Sequence, residues 1–285
     1  MKIFFLVLTV CFSISTYAQN GSEIILFDVT IKSTGITLSN PVNITNHKGY
    51  DNQPFFYKTN IYYSSQEDSS QMDIKKYDYL HKTTSIITHT EENEFSPTIT
   101  QDQKFISCIL QRRNGKQDLV KYPLNGGEPI MLIDNLKVGY HAWLDNNSLL
   151  LFVLEDTSTN GLHYYNVTTK ENKKLATDIG RSLQKVPGKQ AVSFIKKTPG
   201  EWLVREYDAT TKKIITIMPA LHNHEFVAWT NKGLALMSDG NDIYFAKQGN
   251  NNWKKIKING EIPLKNISRL AINEQNTKLA VVVAE

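Results

Sequence analysis

One strand–turn–strand unit recurs along this chain, and this repeat is the feature that most limits its fold. The clearest copy is residues 96–110, SPTITQDQKFISCIL, in which a polar turn separates two apolar strands. Similar units lie at residues 53–65, 141–154, 182–195, 227–238 and 270–283. The central residues of their first strands are 42 to 44 positions apart: Phe56, Ile99, Trp143, Lys185, Trp229 and Ile272. A fixed period of this length is typical of repeat architectures such as β-propellers.

A second strand pattern lies between these copies. Each interval places an aromatic residue in a short strand, at Phe27, Tyr77, Tyr122, Tyr165, Tyr207 and Phe245. Most of these strands are followed by a turn and another short strand, so one period contains four strands. The sequence therefore predicts an all-β fold, a six-bladed β-propeller with four-stranded blades.

The two ends of the chain are out of phase with the blades. The chain starts with an outer strand pair, SEIILFDV and GITLSN, and ends with an inner pair, SRLAIN and KLAVVVAE. We expect the N-terminal outer strands to pair with the C-terminal inner strands, which would close the ring and leave no open sheet edge. Residues 19–285 are then predicted to form a single propeller domain.

The first 18 residues are predicted to be a signal peptide. A short positive start, an apolar run over residues 3–15 and small residues before position 19 fit this pattern. A lipoprotein signal at Cys11 is a weaker alternative, because the bulky Val10 precedes it. No other apolar stretch has the length of a membrane span, so we expect no transmembrane segment in the mature chain, and a periplasmic or secreted location.

Charge and cysteine content narrow the function further. The chain has a net charge of +4, and the predicted signal contains one lysine and no acid, which leaves +3 for the rest. This nearly balanced charge, without a basic run, argues against nucleic acid as a partner. Cys108 would be the single cysteine of the mature chain, and its apolar strand FISCIL indicates a buried residue rather than a nucleophile.

The motif SPTITQDQK resembles the Ser-Pro-x-x-(Ser/Thr)-Pro-Asp-Gly-Lys repeat of TolB-like six-bladed propellers. Residues 50–56, 94–100, 139–143, 180–183 and 267–272 are similar to those of secreted bacterial members of that family. The chain departs from the pattern where Gln101 and Gln103 replace the usual Pro and Gly, and around Lys185. The resemblance implies a periplasmic or secreted propeller that holds partners.

In a propeller the innermost strand of each blade lines a central channel, so residues at the start of these strands are candidate ligand-binding groups. We expect a ligand-binding channel mouth formed by Asn52, Gln53, Glu94, His141, Arg181, Glu225 and Arg269. Asp51, Glu92, Tyr140, Ser182, His224 and Ser268 occupy neighbouring positions. The repeat would bring these residues together although they are far apart in sequence.

These residue types allow three interpretations. Arg181 and Arg269 fit a carboxylate or a peptide end. Glu94, Glu225 and His141 fit a cation such as calcium. Alternatively, the polar groups satisfy one another and channel water, and so stabilise the ring without binding anything.

Catalytic motifs are scarce. The sequence has no G-x-S-x-G, phosphate-binding loop, H-E-x-x-H or C-x-x-C motif. His222 and His224 are too few for a metal site and fit a blade connection, and Trp143 and Trp229 fit packing between blades. The sequence therefore favours a monomeric, non-enzymatic scaffold that binds an envelope or secreted protein, or a small polar ligand. The alternative is a metal-dependent, lactonase-like propeller hydrolase with a cation in the channel.

Overall fold

The computed structural model describes residues 21–66, 71–155 and 159–284. The predicted signal peptide, residues 1–18, lies outside the described residues. In this part of the chain nearly all regular structure is β-strand, and the helical exception is a single 3-10 turn at Leu221–Asn223. No described helix has the length and apolar character needed to cross a bilayer.

The described residues form twenty-five strands. The first twelve are β1 (Ser22–Lys32), β2 (Gly35–Asn43), β3 (Tyr50–Tyr57), β4 (Asn60–Gln66), β5 (Asp73–Asp78), β6 (Thr83–Ile86), β7 (Asn93–Ile99), β8 (Phe105–Gln111), β9 (Gln117–Pro123), β10 (Ile130–Ile133), β11 (Val138–Trp143) and β12 (Ser148–Leu154). The others are β13 (Asn160–Asn166), β14 (Asn172–Thr177), β15 (Ile179–Lys185), β16 (Ala191–Lys196), β17 (Leu203–Asp208), β18 (Lys213–Pro219), β19 (Ala228–Trp229), β20 (Leu234–Ser238), β21 (Ile243–Lys247), β22 (Lys254–Lys255), β23 (Lys257–Ile258), β24 (Arg269–Ile272) and β25 (Lys278–Ala284).

Consecutive strands pair antiparallel in groups of four. Strands β7–β10, β11–β14, β15–β18 and β19–β22 each form a separate four-stranded sheet. Strands β3–β6 form a similar group inside a nine-stranded sheet. The prediction of an all-β fold built from four-stranded sheets is confirmed.

The two ends of the described chain meet in one sheet. Strand β1 pairs antiparallel with β25 from Ser22 opposite Ala284 to Asp28 opposite Lys278. Strand β2 pairs with β1, and β24 pairs with β25, which gives the order β24-β25-β1-β2. This group joins β3 through a single parallel pair, Ser22 and Tyr50, and β23 adds to β2.

The apolar core lies between neighbouring sheets, face against face. One cluster packs Tyr62 and Ile74 of β4 and β5 against Ile106 and Val120 of β8 and β9. The second strand of each repeat therefore buries both faces, one against each neighbouring sheet, and this explains its near-continuous apolar run. Cys108 belongs to this cluster and is fully buried, which confirms the expected structural role.

The predicted packing role of the two tryptophans is also confirmed. The Trp143 Nε1–H donates to Ser107 Oγ at 2.9 Å, and the Trp229 Nε1–H donates to Ser193 Oγ at 2.8 Å. In each case the serine lies 36 residues earlier, on the second strand of the preceding sheet. The repeat thus places a hydrogen bond between adjacent sheets at equivalent positions, with both rings buried.

Candidate functional site

A channel with a volume of about 450 Å³ runs between the first strands of the sheets. Residues of β3, β7, β11, β15, β19 and β24 line it, together with residues directly next to these strands. The lining includes all six repeat positions identified in the sequence: Phe56, Ile99, Trp143, Lys185, Trp229 and Ile272. The sequence period therefore marks the channel wall.

Gln53 lies on the channel wall but serves as a tie between two sheets. Its Oε1 accepts hydrogen bonds from the Ser96 backbone N–H at 2.6 Å and from Ser64 Oγ at 2.9 Å. Gln53 and Ser96 hold equivalent positions, each directly before a proline, with φ angles of 60° and 55°. Both lie in β-bulges that shift the register of β3 and β7, and such bulges redirect side chains at the ends of strands.

Asn52 does not line the channel. Its side chain is buried, Oδ1 accepts from the Gln53 backbone N–H at 2.8 Å, and Nδ2 donates to Ser22 Oγ at 3.4 Å. These contacts hold the bulge and the start of β1 together. The structure therefore places Asn52 behind the channel wall rather than at the predicted mouth.

Glu94 is likewise turned away from the channel. Its carboxylate is fully buried and accepts hydrogen bonds from Thr88 Oγ1 at 3.2 Å, from Tyr122 OH at 3.1 Å and from Thr90 Oγ1. Burial raises the pKa of Glu94 to about 7, because the charged form loses its hydration. A buried carboxyl with three hydroxyl partners stabilises the sheet packing and is not available to a channel ligand.

His141 contributes to the channel wall, yet its polar contacts point into the protein. The Nε2 atom lies 2.7 Å from Ser107 Oγ, the same hydroxyl that accepts from Trp143. Ser107 Oγ also donates to the Thr98 carbonyl at 3.0 Å, so the imidazole Nε2 must act as the donor. Burial lowers the pKa of His141 to about 3, which keeps the ring neutral near pH 7.

Arg181 and Glu225 do meet at the mouth of the channel. Glu225 Oε2 accepts from the Arg181 backbone N–H at 3.3 Å, and its Oε1 lies 3.8 Å from Arg181 Nε. Lys197 Nζ approaches the same carboxylate at 2.9 Å. Gly180 permits this arrangement, since a Cβ at that position would lie 3.0 Å from the Glu225 Cβ. Most of the Arg181 side chain stays exposed.

Arg269 also lies at this mouth. Its Nη2 donates to Tyr140 OH at 2.9 Å, which links β24 to β11. Its guanidinium carbon lies 4.3 Å from the centre of the Phe226 ring and 5.2 Å from that of Tyr140. Within the described residues Arg269 forms no ion pair, so the positive charge at this position has no carboxylate partner.

The charges of both arginines affect the pKa of one buried side chain, Tyr50. Burial raises the pKa of Tyr50 to about 12, and the positive charges of Arg269 and Arg181 oppose that increase. We use the name channel mouth for the set Tyr140, Arg181, Glu225, Phe226 and Arg269. Its geometry provides donors for an anionic group beside aromatic faces.

A second cavity, the side pocket, adjoins the channel mouth. It has a volume of about 300 Å³ and is lined by Trp202, His224, Glu225, Phe226, Ser238, Ile267, Ser268, Arg269 and Leu270. Phe226, Arg269 and Leu270 line both the channel and this pocket. Arg269 therefore stands on the wall between the two cavities.

The seven predicted site residues are thus divided. Gln53, His141, Arg181 and Arg269 line the channel, Glu225 lies beside it in the side pocket, and Asn52 and Glu94 are buried behind the wall. Among the described residues no three His, Cys, Asp or Glu side chains are close enough together to hold a metal ion. A cation in the channel stays a prediction. Its proposed ligands give it no support, because Glu94 contacts buried hydroxyl groups, Glu225 contacts Lys197, and His141 contacts Ser107.

Three contributors to this region were missed at the sequence level: Phe226, Lys197 and Trp202. Phe226 directly follows the candidate Glu225 in the segment HNHEF, so its proximity was readable. Lys197 and Trp202 lie in the loop after β16 and at the edge of the side pocket, where no repeat position marks them. His222 and His224 belong to the connection between β18 and β19, as predicted.

Comparison with known proteins identifies the fold. No family model and no curated protein matches the sequence. The structure is similar to a putative TolB from Agrobacterium tumefaciens, with 12% identity and a TM-score of 0.70 over 94% of this chain and 99% of that chain. It is similar to TolB from Acinetobacter baumannii, with 13% identity and a TM-score of 0.61 over 92% of this chain and 65% of that longer chain.

An oligogalacturonate lyase in complex with manganese is also similar, with 10% identity and a TM-score of 0.60 over 94% of this chain and 98% of that chain. At such low identities these likenesses concern the fold alone. The chain has a TolB-like β-propeller fold, as its sequence motifs indicate.

Proposed function

We propose that this chain is an exported, six-bladed propeller scaffold that binds a partner at its channel mouth, without catalysing a reaction. The partner is an envelope or secreted protein, or a small polar ligand, with an anionic group that Arg269 and Arg181 hold. Export, to the periplasm or the cell exterior, is supported by the signal-peptide pattern in residues 1–18.

Support for six blades and ring closure comes from strand pairing. Six first strands contribute to one channel, and β1 pairs with β25 so that both ends of the chain enter one sheet. A ring closed in this way has no exposed edge between its first and last blades and forms a rigid frame. A rigid frame suits binding, because little order has to be imposed when the partner arrives.

The observation that carries the proposal is the state of Arg269. Its guanidinium is held by Tyr140 and Phe226, yet it has no carboxylate partner in the described parts of the chain. A guanidinium offers five N–H donors in a planar fork that fits a carboxylate, and one hydrogen bond to Tyr140 leaves most of them free. Arg181 adds an exposed positive group nearby.

The alternative function is a metal-dependent, lactonase-like hydrolase. One structure with the same fold is a lyase in complex with manganese, which shows that a propeller of this shape can hold a metal. In this chain, however, the carboxylates proposed as ligands are separated: Glu94 is buried among hydroxyl groups, and Glu225 contacts Lys197. The binding scaffold therefore has the stronger support.

Native mass spectrometry with elemental analysis, on protein purified from its own envelope, tests the proposal. We expect a protein or small anionic ligand to stay bound to the wild type, and to be lost from Arg269→Ala and from Arg181→Ala. Arg113→Ala is the matched control, because Arg113 is exposed and pairs with Glu91 away from the channel.

Two outcomes would contradict the proposal. If the arginine variants keep every bound partner, the channel mouth is not the binding site. A stoichiometric metal, whose removal abolishes turnover of a lactone, would instead favour the hydrolase.

A further inference from the structure

We infer that the side pocket receives the apolar side chain of a ligand whose single carboxylate is held by Arg269, as in the C-terminal residue of a peptide. The inference rests on the proposed function and specifies the chemistry of the ligand. Its basis is the position of Arg269, which lines both the side pocket and the channel.

The side pocket combines apolar walls with two charged side chains, Glu225 and Arg269. Trp202, Phe226, Ile267 and Leu270 supply aromatic and aliphatic surface, and Arg269 lies at the side shared with the channel. A volume of about 300 Å³ is at the lower end of the range for small-molecule pockets, so it suits one side chain rather than a large ligand. Such walls favour an apolar group placed next to an anion.

The mouth also limits the charge of the ligand. Glu225 already pairs with Lys197 at 2.9 Å and lies 3.8 Å from Arg181 Nε. One carboxylate offsets only one of these two positive charges, so the region keeps a net positive charge, and within the described residues Arg269 has no acid partner of its own. A carboxylate held by Arg269 matches this arrangement, whereas a second carboxylate directed at Glu225 would be repelled by that acid.

Arg269 is preorganised for this task. The hydrogen bond to Tyr140 and the stack on Phe226 fix the plane of the guanidinium before any ligand arrives. Fixing the donor in advance lowers the entropy lost on binding. The remaining N–H groups of the fork are then available to both oxygens of one carboxylate.

Isothermal titration calorimetry on the mature chain tests the inference with four probes: N-acetyl-L-phenylalanine, its amide, N-acetylglycine, and a hexapeptide ending in phenylalanine. We expect N-acetyl-L-phenylalanine to bind at least about tenfold more tightly than its uncharged amide, since the amide loses the charge-assisted hydrogen bonds. N-Acetylglycine, which has the carboxylate without the ring, should also bind about tenfold more weakly.

Two variants separate the pocket from the arginine. Trp202→Ala and Ser268→Phe should weaken N-acetyl-L-phenylalanine and leave N-acetylglycine unchanged. Ser268 lies exposed on the rim, so Ser268→Phe narrows the pocket without removing core packing and controls for a folding defect of Trp202→Ala. Arg269→Ala should weaken both acids, because it removes the carboxylate contact.

Glu225→Gln tests the limit on charge. Replacing this carboxylate by an amide leaves Lys197 and Arg181 without their acid, so a dicarboxylate such as phenylsuccinate should gain at least about tenfold relative to N-acetyl-L-phenylalanine. An unchanged ratio would show that Glu225 does not set the charge of the ligand.

The outcomes distinguish this inference from the proposed function. Equal binding of the two acids, both lost in Arg269→Ala, would overturn the side-pocket assignment while the channel mouth stands as an anion site. If none of the four probes binds, the proposed class of ligand, an apolar monocarboxylate, is wrong. If the hexapeptide binds more tightly than N-acetyl-L-phenylalanine, the ligand is a protein end; if it binds equally or more weakly, a free acid fits the same chemistry.

Discussion

The ties between blades and the channel mouth are both polar, and both lie near the first strands of the sheets, yet their hydrogen-bonding states differ. In the ties, the Ser107 hydroxyl has a saturated set of hydrogen bonds: it donates to the Thr98 carbonyl and accepts from His141 and Trp143. At the mouth, Arg269 contacts Tyr140 and Phe226 and keeps donors free. A saturated set stabilises the fold, whereas an unsaturated one can bind a ligand.

This difference explains why position in the repeat is a poor guide to function. Glu94 and Glu225 both lie close to the start of a first strand, but one is surrounded by hydroxyl groups and the other by cations. The partners come from neighbouring strands and loops that the repeat pattern does not predict. Substitutions in the two regions should therefore affect different measurements.

The largest effect is expected for Trp143→Ala. Removing this buried ring leaves a cavity between two sheets and removes one of the two hydrogen bonds that Ser107 accepts, so the free energy of unfolding should fall by roughly 3–5 kcal/mol. Urea denaturation followed by circular dichroism measures the change. Ile215→Ala, at an exposed position of an outer strand, is the control and should change stability by less than about 0.5 kcal/mol. A comparably small loss for Trp143→Ala would show that the contact between Trp143 and Ser107 does not stabilise the packing of the two sheets.

A second, pH-dependent effect concerns the buried acids among the ties. The folded protein raises the pKa of Glu94 from 4.5 to about 7, so the folded state binds a proton that the unfolded state has released. Stability should therefore be highest below pH 4.5 for this group and fall as pH rises to about 7, by on the order of 3 kcal/mol at about 1.4 kcal/mol per pKa unit.

Glu94→Gln should flatten that loss, because the amide stays neutral and keeps hydrogen-bonding atoms near Tyr122 and Thr90. Part of the slope will remain, since burial also raises the pKa of Asp51 to about 6. Asp208→Asn is the control. Backbone N–H groups of Thr211 and Thr210 lower the pKa of the Asp208 carboxyl, so this acid changes stability only at pH values below those of the Glu94 titration. Urea midpoints between pH 4.5 and 8 that have the same slope in Glu94→Gln and the wild type would contradict the assignment.

The sequence predicts the fold more completely than it predicts the candidate site. The period of 42 to 44 residues placed all six marker residues in first strands that line the channel, although they lie at or next to the ends of these strands rather than at their centres. The period is strong because every blade must present the same strand to the same channel and bury both faces against similar neighbours. Fold class and core were therefore predictable from apolar pattern alone.

The candidate site was predictable only in part. Arg181 and Arg269 line the channel, whereas Asn52 and Glu94 are buried behind its wall, and ligand binding by any of them stays a prediction. The reason is the bulge before Pro54 and Pro97, because one additional residue changes which side of a strand the preceding side chains face. Neither the repeat period nor the alternation of apolar residues specifies a bulge of this kind.

A smaller effect is expected at the mouth itself. Arg269→Ala should change the free energy of unfolding by less than about 1 kcal/mol, since a partly exposed cation–π contact and one hydrogen bond contribute little. The urea midpoint of this variant should stay close to that of the wild type while ligand binding is lost. A loss as large as that expected for Trp143→Ala would mean that Arg269 is another tie between blades.

The smallest effect is expected at the turn where the sequence departs from the TolB-like motif. Gln103 stands where that motif has glycine, and it adopts a φ of 58°, a left-handed conformation that is costly for a residue with a Cβ. Gln103→Gly should therefore raise the free energy of unfolding by a few tenths to about 1 kcal/mol, because relief of about 1–2 kcal/mol of strain exceeds the added entropy of the unfolded chain, about 0.5–1 kcal/mol. Gln101 lies two residues earlier and has no positive φ. Gln101→Gly should therefore destabilise the protein, because it raises the conformational entropy of the unfolded chain without relieving strain in the folded one. Opposite shifts of the two urea midpoints would show that the turn is strained because Gln103 occupies a position that favours glycine.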